Sequence, residues 1–313
     1  MKNTELLIKL AAPNVEYGPR AEADLARILS TPAPTPPKMQ KTHRNHAPRT
    51  LAACAVLVAL IGMIVFRPVA ASATPPLMEA TPIAGSAQNH LMKLAELRRK
   101  GAWPRTAIEL HAWSLVSEID AAGKVVASNT SPTVSSTTFS PDGSVTIETV
   151  VGRPFPGQEV KDLPIPGTPL SSEHLSAEKS VAASASGVLP EDADQLAQWL
   201  ETAFSVDPAN TEESTLSLLS VLVNTTVTPA QEATVLEYLA SRPDVTLIGQ
   251  VTDRLGRSAL SFRIGSDVDN YQQNLIIATD TGQIIATETI YTGNDRHDIT
   301  APAVTSYEAW ERK

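Results

Sequence analysis

The sequence predicts an α+β fold, a curved antiparallel sheet packed against helices, preceded by one transmembrane helix and a mostly disordered cytoplasmic tail. Residues 51–66 form an uncharged apolar run. Three helix-like segments lie between residues 190 and 240, and residues that alternate between apolar and polar types lie on both sides of this helical block. We expect the flanking segments to join in one antiparallel sheet of about seven to eight strands.

The apolar run carries nine Leu, Ile, Val or Phe side chains. Together they favour insertion into a bilayer by roughly 3–5 kcal/mol. A helix of this length spans about 24 Å, close to the hydrocarbon thickness of about 30 Å. We therefore predict a transmembrane helix over residues 50–71. The span contains Leu51, Leu57, Ile61 and Phe66.

The charges beside the run predict its orientation. The basic residues that precede it are Lys38, Lys41, Arg44 and Arg49. Arg67 is the single basic residue in the twenty residues that follow the run. Because Lys and Arg mark the cytoplasmic side, we expect a single-pass plasma-membrane protein with its N-terminus inside and its C-terminal domain outside.

The net charges of the two parts agree with this orientation. Residues 1–67 carry a net charge of +5 and the rest of the chain −14. A basic juxtamembrane segment suits an anionic inner leaflet, and an acidic outer domain argues against nucleic acid as a partner.

These observations divide the chain into a cytoplasmic tail (1–49), the transmembrane helix (50–71), a tether (72–86) and an extracytoplasmic α+β domain (87–313). The sole cysteine, Cys54, lies in the span, so no intramolecular disulfide can form.

Two alternatives to a simple anchor arise from short motifs. The A-x-A pattern that ends at Ala73 is typical of a signal-peptidase site, and cleavage there would release the outer domain. The charged region before the span is far longer than the charged n-region of a signal peptide, and this length favours a membrane anchor. Residues 51–54 have lipobox composition, but Cys54 begins the apolar run instead of following it, so a small residue packed in the span is favoured.

The tail leaves two interpretations open. Residues 21–29 place Leu25, Ile28 and Leu29 on one helical face. So short a helix is marginal in water, which is consistent with a disordered tail that holds nascent helix. In the other interpretation, residues 1–31 dock to a cytoplasmic regulatory protein.

In the first half of the outer domain we predict a helix over residues 87–100, a long strand over residues 106–120 and an antiparallel meander over residues 124–151. Residues 153–172 hold five prolines and predict a loop.

In the second half, helices are predicted to start at Pro190, at a Thr211 cap and at a capping box formed by Thr228 and Gln231. Alternation then predicts four strands, each with one buried and one solvated face. They cover residues 245–252, 260–264, 274–279 and 283–292.

Together with the tail and the single span, Trp113-Ser114-Leu115, SRPDVTLIGQVTDRLGRSALSF (241–262) and LIIATDTGQIIATETI (275–290) resemble an uncharacterised family of single-span actinobacterial membrane proteins. This family is similar in layout to membrane-anchored regulators of extracytoplasmic-function sigma factors. The outer domain resembles the half-open barrel of lipoprotein-carrier and sensor domains. The resemblance implies a sensor or regulator and supplies no catalytic or binding residue. The tail lacks the His-x-x-x-Cys-x-x-Cys motif of zinc-binding anti-sigma proteins.

Three motifs for chemistry have simpler explanations. Asp280-Thr281-Gly282 matches the aspartic-protease triplet, but a single copy between two strands favours a turn. Ser176-x-x-Lys179 lacks the accompanying motifs of penicillin-recognising enzymes, which favours a chance match. The loop with Asp267 and Asp269 lacks the Gly and the distal Glu of an EF-hand, which favours a solvated acidic turn. We predict no catalytic, cofactor-binding or metal-binding residue, and we expect that the protein is not an enzyme.

Three functions remain open from the sequence. The first is a sensor that binds an unidentified envelope ligand or protein and regulates a sigma factor through its tail. The second is a tethered carrier or binding protein for an apolar envelope molecule, which a continuous apolar cavity under the sheet would favour. The third is a hydrolase.

Overall fold

The computed structural model describes residues 74–102, 106–119, 125–154, 163–179, 189–265, 270–296 and 298–313. These residues form an α+β domain in which four α-helices accompany a curved, ten-stranded antiparallel sheet. The predicted fold class of the outer domain is therefore confirmed. The predicted tail and transmembrane helix lie outside the described residues. Each helix within these described ranges is too short or too polar to span a bilayer.

The helices are α1 (Ala87–Arg99), α2 (Ala193–Phe204), α3 (Thr211–Asn224) and α4 (Pro229–Ala240). The strands are β1 (Ala107–Ile119), β2 (Val125–Thr130), β3 (Thr133–Phe139), β4 (Val145–Val151), β5 (Pro169–Leu175), β6 (Thr246–Thr252), β7 (Ser258–Ile264), β8 (Tyr271–Ala278), β9 (Ile284–Tyr291) and β10 (Ala303–Arg312). A 3-10 turn covers Ala177–Lys179.

The helix starts are set by capping side chains. The predicted capping box opens α4: the Thr228 hydroxyl accepts the Gln231 N–H at 3.1 Å, and the Gln231 side chain accepts the Thr228 N–H at 2.7 Å. The start of α2 at Pro190 was wrong, because Asp192 caps the helix and Ala193 begins it. The cap of α3 is Asn210, one residue before the predicted Thr211.

The strands that precede and follow the helical block join in one sheet, as predicted. Its order is β5-β4-β3-β1-β10-β9-β8-β7-β6, and β2 pairs with the far end of β1. The junction is the antiparallel pair of β1 and β10, which runs in continuous register from Ile108↔Arg312 to Ser114↔Ser306.

Two strands were missed in the sequence. β5 lies partly in the predicted proline-rich loop, and its residues are exposed or half-buried throughout, so they show no apolar alternation. In β10, Glu308 and Arg312 lie on the same face as Trp310. Because charged and apolar residues share this face, the strand shows no regular apolar–polar alternation.

The helix face of the sheet holds the larger core. Side chains from all four helices meet strand residues that are fully buried there. The helices contribute Leu91, Leu196, Leu200, Leu218, Leu222, Leu236 and Leu239, and the strands contribute Ile108, Phe262, Leu275, Ile277, Ile284 and Trp310.

The prediction that the sheet face opposite the helices is exposed to solvent was wrong for the central strands. Trp113, Ile276 and Ala309 form a second buried cluster on that face. Segments from outside the strands cover it, and they contribute Met78, Leu255, Ile299 and Ala301. Burial on both faces explains why β8 and β9 are apolar over consecutive residues.

The segment that leads into α1 lies along the free edge of β6. Thr81 and Gln250 exchange two backbone hydrogen bonds of 2.8 Å each. Gly249 permits this approach, because its φ is +149° and a Cβ there would overlap the Thr81 carbonyl. The edge of β6 is thereby partly covered.

Candidate functional site

A buried charge cluster joins the helix layer to the sheet. Glu232 of α4 is fully buried, and its Oε2 accepts hydrogen bonds from Arg98 Nε of α1 and Arg312 Nη1 of β10, both at 2.7 Å. Its Oε1 accepts the Ile284 N–H at 2.8 Å. Three elements distant in sequence are thus held at one carboxylate.

The electrostatics of this cluster balance burial against two cations. Burial raises the pKa of Glu232, but the charges and hydrogen bonds of Arg312 and Arg98 outweigh it and hold the pKa below its usual range. Both carboxylate oxygens already accept hydrogen bonds from within the domain, so we assign the cluster to stability and not to binding.

The space beside the cluster is small and partly cationic. A cleft of about 10 Å³, lined in part by Arg98, Arg312, Ile108 and Phe139, lies where the helices meet the sheet. This volume holds about one water molecule. It does not resemble the continuous apolar cavity expected of a carrier.

A second pair of charges holds the β6–β7 hairpin over the opposite face. The Asp253 carboxylate accepts the N–H groups of Leu255 and Arg257 at 3.0 and 2.7 Å. The Arg257 guanidinium donates to the Trp310 and Ile285 carbonyls at 2.8 and 3.1 Å. We therefore assign Asp253 and Arg257 to stability, as we do the Glu232 cluster.

Glu308 differs from the other acids of the central strands. It lies in β10 between Ala112 of β1 and Thr287 of β9, on the face that carries Trp310. Its side chain is exposed although its strand is central. Among the described residues, none donates a hydrogen bond to the Glu308 carboxylate or forms an ion pair with it.

The Glu308 side chain is accessible to solvent, but its carboxylate is partly desolvated. The protein that surrounds this exposed side chain partly desolvates the carboxylate, and this desolvation raises the pKa of Glu308. An uncompensated carboxylate with a raised pKa is one signal that marks a candidate functional site.

Hydroxyls stand next to this carboxylate on the same face. Ser306 precedes Glu308 by two residues and pairs directly with Ser114 of β1. Both serines are half-buried, and no other described side chain hydrogen-bonds to their hydroxyls. Acceptor and donor groups therefore remain available around Glu308.

The neighbouring hydroxyls on β9 are already ordered. The Gln273 amide donates to Thr287 Oγ1, and its carbonyl accepts the Thr289 hydroxyl at 2.8 Å. Thr287 in turn donates to the Asn274 carbonyl at 3.0 Å. We name the group formed by Glu308, Ser306 and Ser114 the β10 patch. The hydrogen-bonded side chains of Gln273, Thr287 and Thr289 lie beside this patch and are held in place.

The residues predicted from the sequence contribute nothing to the β10 patch. The predicted span residues, the orienting bases and tail residues 1–31 all lie outside the described residues. Asp280-Thr281-Gly282 forms the predicted turn between β8 and β9, with Gly282 at φ +66°. Ser176 and Lys179 are exposed around the 3-10 turn. No group of three or more His, Cys, Asp or Glu in the described chain could hold a metal.

Sequence reasoning missed the residues that matter most here. Arg98 lies in the last turn of α1, where a cation suits the helix dipole, but its side chain is buried against Glu232. A signal for Glu308 was present, since Glu308 and Trp310 are two residues apart in the last apolar segment and must share a strand face.

Among known proteins, the chain shows similarity to solved structures at low sequence identity. No family model matches the chain, and no curated protein matches it. Among solved structures, it is similar to MucB in complex with MucA(peri), at 15% identity and a TM-score of 0.28, over 72% of this chain and 54% of MucB. The chain thus spans about half of that MucB chain.

The chain is also similar to two further solved structures, again at low sequence identity and low TM-score. One is a putative outer membrane lipoprotein-sorting protein domain from Vibrio parahaemolyticus, at 11% identity and a TM-score of 0.22, over 72% of this chain and 91% of that one. The other is a DUF1329 family protein from Desulfovibrio piger, at 12% identity and a TM-score of 0.19, over 72% and 90%. The lipoprotein-sorting domain is of the kind that the sequence resembles.

Proposed function

We propose that this chain is a single-pass, membrane-anchored extracytoplasmic binding or sensor protein. Its outer α+β domain binds an envelope ligand or protein at its surface. Its N-terminal tail, residues 1–31, contacts a cytoplasmic regulatory protein, and the state of the outer domain regulates a sigma factor through that contact. The protein has no catalytic role in this proposal.

The observation that supports surface binding is the filled boundary between helices and sheet. Trp310, Leu236 and Phe262 at this boundary are at most 1% exposed. The cleft lined by Arg98, Arg312 and Phe139 accommodates about one water molecule. An acyl chain would need a cavity of several hundred Å³. The filled boundary at these residues supports a surface binder over a carrier for an apolar molecule.

Support for the anchor and for the tail comes from the sequence. The uncharged run over residues 51–66 and the basic residues before it favour insertion with the N-terminus inside. The tail's apolar stripe of Leu25, Ile28 and Leu29 offers a docking face of the kind an amphipathic helix presents to a groove.

The tail is the part to test for regulation. The full-length chain and a variant that lacks residues 1–31 are compared for sigma-dependent transcription and for capture of a cytoplasmic partner. We expect both to be lost in the variant. Replacing Leu25, Ile28 and Leu29 by Ala should reproduce the loss.

The matched control replaces Glu22, Asp24 and Arg27 by Ala, which changes the same segment but spares the apolar stripe. This control should behave as the unmodified chain does. If transcription and capture are unchanged by the deletion of residues 1–31, the tail is inert and the regulatory part of the proposal is wrong.

A further inference from the structure

We propose that the β10 patch, formed by Glu308, Ser306 and Ser114, is a recognition site for a primary ammonium group. The ammonium belongs either to a lysine side chain of a partner protein or to a small amine. This inference rests on the proposed binding function and specifies its contact chemistry.

The register of the strands brings the three side chains together. Ser306 and Ser114 are directly opposite each other in the antiparallel pair of β10 and β1. Such partners have Cβ atoms about 4.5–5.5 Å apart. Glu308 follows Ser306 by two residues on the same face, at a spacing of about 7 Å along the strand. The three groups therefore surround one spot on the sheet.

The chemistry of the three groups matches an ammonium ion. A carboxylate and two hydroxyl oxygens are three acceptors, and an ammonium group has three donors that can diverge to meet them. Arg guanidinium presents its donors in a flat fork, which matches a carboxylate alone and leaves the serines unused. The patch should therefore prefer ammonium.

The neighbours leave room for the ligand. Ala112, opposite Glu308 on β1, is small. The side-chain amide of Gln273 on β8 hydrogen-bonds to Thr287 and Thr289 on β9. These two hydroxyls are therefore engaged and do not compete with a ligand for hydrogen bonds to Glu308. The site is thus open and preorganised on one flank.

The charge of the domain favours a cationic ligand. The chain beyond residue 67 carries a net charge of −14. Glu308 has no cationic partner among the described residues. The charge of a bound cation would stabilise the ionised carboxylate and so oppose the rise in its pKa that desolvation causes. Long-range attraction and the local contact therefore act in the same direction.

The test uses the full-length chain in detergent micelles, titrated with n-butylammonium and with n-butylguanidinium, and followed by NMR of amide groups on β1 and β10. We expect saturable shifts around Ser306 and Ser114, with the ammonium bound more tightly. The Glu308→Gln variant should weaken ammonium binding by about tenfold or more, because it removes a charge-assisted contact.

The matched control is Glu311→Gln. Glu311 is an exposed acid on the same strand, opposite Glu109 on the other face, so this variant loses the same charge without touching the patch. Its affinity should stay within about twofold of the unmodified chain. Equal weakening in both variants, or no weakening in Glu308→Gln, would overturn the proposal. Circular dichroism confirms that both variants are folded.

A second arm separates the two sources of ammonium. A peptide with one central lysine and the same peptide with acetyl-lysine are compared with n-butylammonium. Tighter binding of the lysine peptide identifies a protein partner, and equal binding identifies a small amine. The variant that lacks residues 1–31 should bind every probe normally, so failure of the tail experiment and failure of this inference remain distinguishable.

Discussion

The Arg98 Nε and Glu232 Oε2 atoms lie 2.7 Å apart across 134 residues of sequence, and this contact holds the first helix of the described domain against the last. Arg312 of the final strand joins them at the same oxygen. The contact therefore links the two ends of the folded domain through one buried acid.

Replacing Glu232 by Gln should destabilise the domain by about 3–5 kcal/mol, because two buried guanidinium groups would lose their counter-charge. Urea unfolding followed by circular dichroism measures this loss. The control is Glu237→Gln on the same helix, which removes a more exposed pair with Arg99 and should cost less than about 1 kcal/mol. Equal losses in both variants would contradict the role assigned to the cluster.

The pH dependence of stability follows from the direction of the Glu232 pKa shift. Because the pKa in the folded state lies below the usual 4.5, the unfolded chain takes up this proton first as the pH falls. The contribution of Glu232 is therefore present above this usual value and is lost as the pH falls through the folded-state pKa. Unfolding free energies measured from pH 7 to pH 3 should fall more steeply for the unmodified chain than for Glu232→Gln. Parallel curves would show that Glu232 is not the linked group.

Replacing Gly282 by Ala should destabilise the domain by more than about 2 kcal/mol. Gly282 has a φ of +66°, and a Cβ there would overlap the Leu94 carbonyl of α1. Gly256 provides the control, since its φ is +83° but nothing lies within 4 Å of the position that a Cβ would take there. Gly256→Ala should therefore cost only the backbone strain, about 1–2 kcal/mol. Thermal melts of the two variants give the comparison, and a milder effect at Gly282 would contradict the close packing of α1.

The sequence was sufficient for the overall plan of the outer domain. Alternating segments before and after the helices predicted one sheet, and the β1–β10 pair confirms it. The capping box at Thr228 was predicted from local chemistry alone. Both predictions depend on short-range patterns that a single sequence displays.

The rest depended on contacts that no local pattern encodes. Burial of the face opposite the helices follows from the covering segments around Met78 and Ile299, which look like loops in the sequence. The Arg98–Glu232 contact joins distant residues, and the local signal in the last turn of α1 pointed instead to the helix dipole. The two-residue spacing of Glu308 and Trp310 indicates a shared strand face, but the exposure of Glu308 depends on which part of the sheet the helices cover, so this spacing alone does not predict the β10 patch.

The most direct test of the central claim, an anchored binding domain outside the plasma membrane, is a pair of reporter fusions at the C-terminus of the full-length chain. One reporter is active only outside the cytoplasm and the other only inside it, and both are assayed after cell fractionation. The account predicts activity of the outside reporter alone, in the membrane fraction. Activity of the cytoplasmic reporter alone, or a soluble product that begins at Thr74, would contradict it.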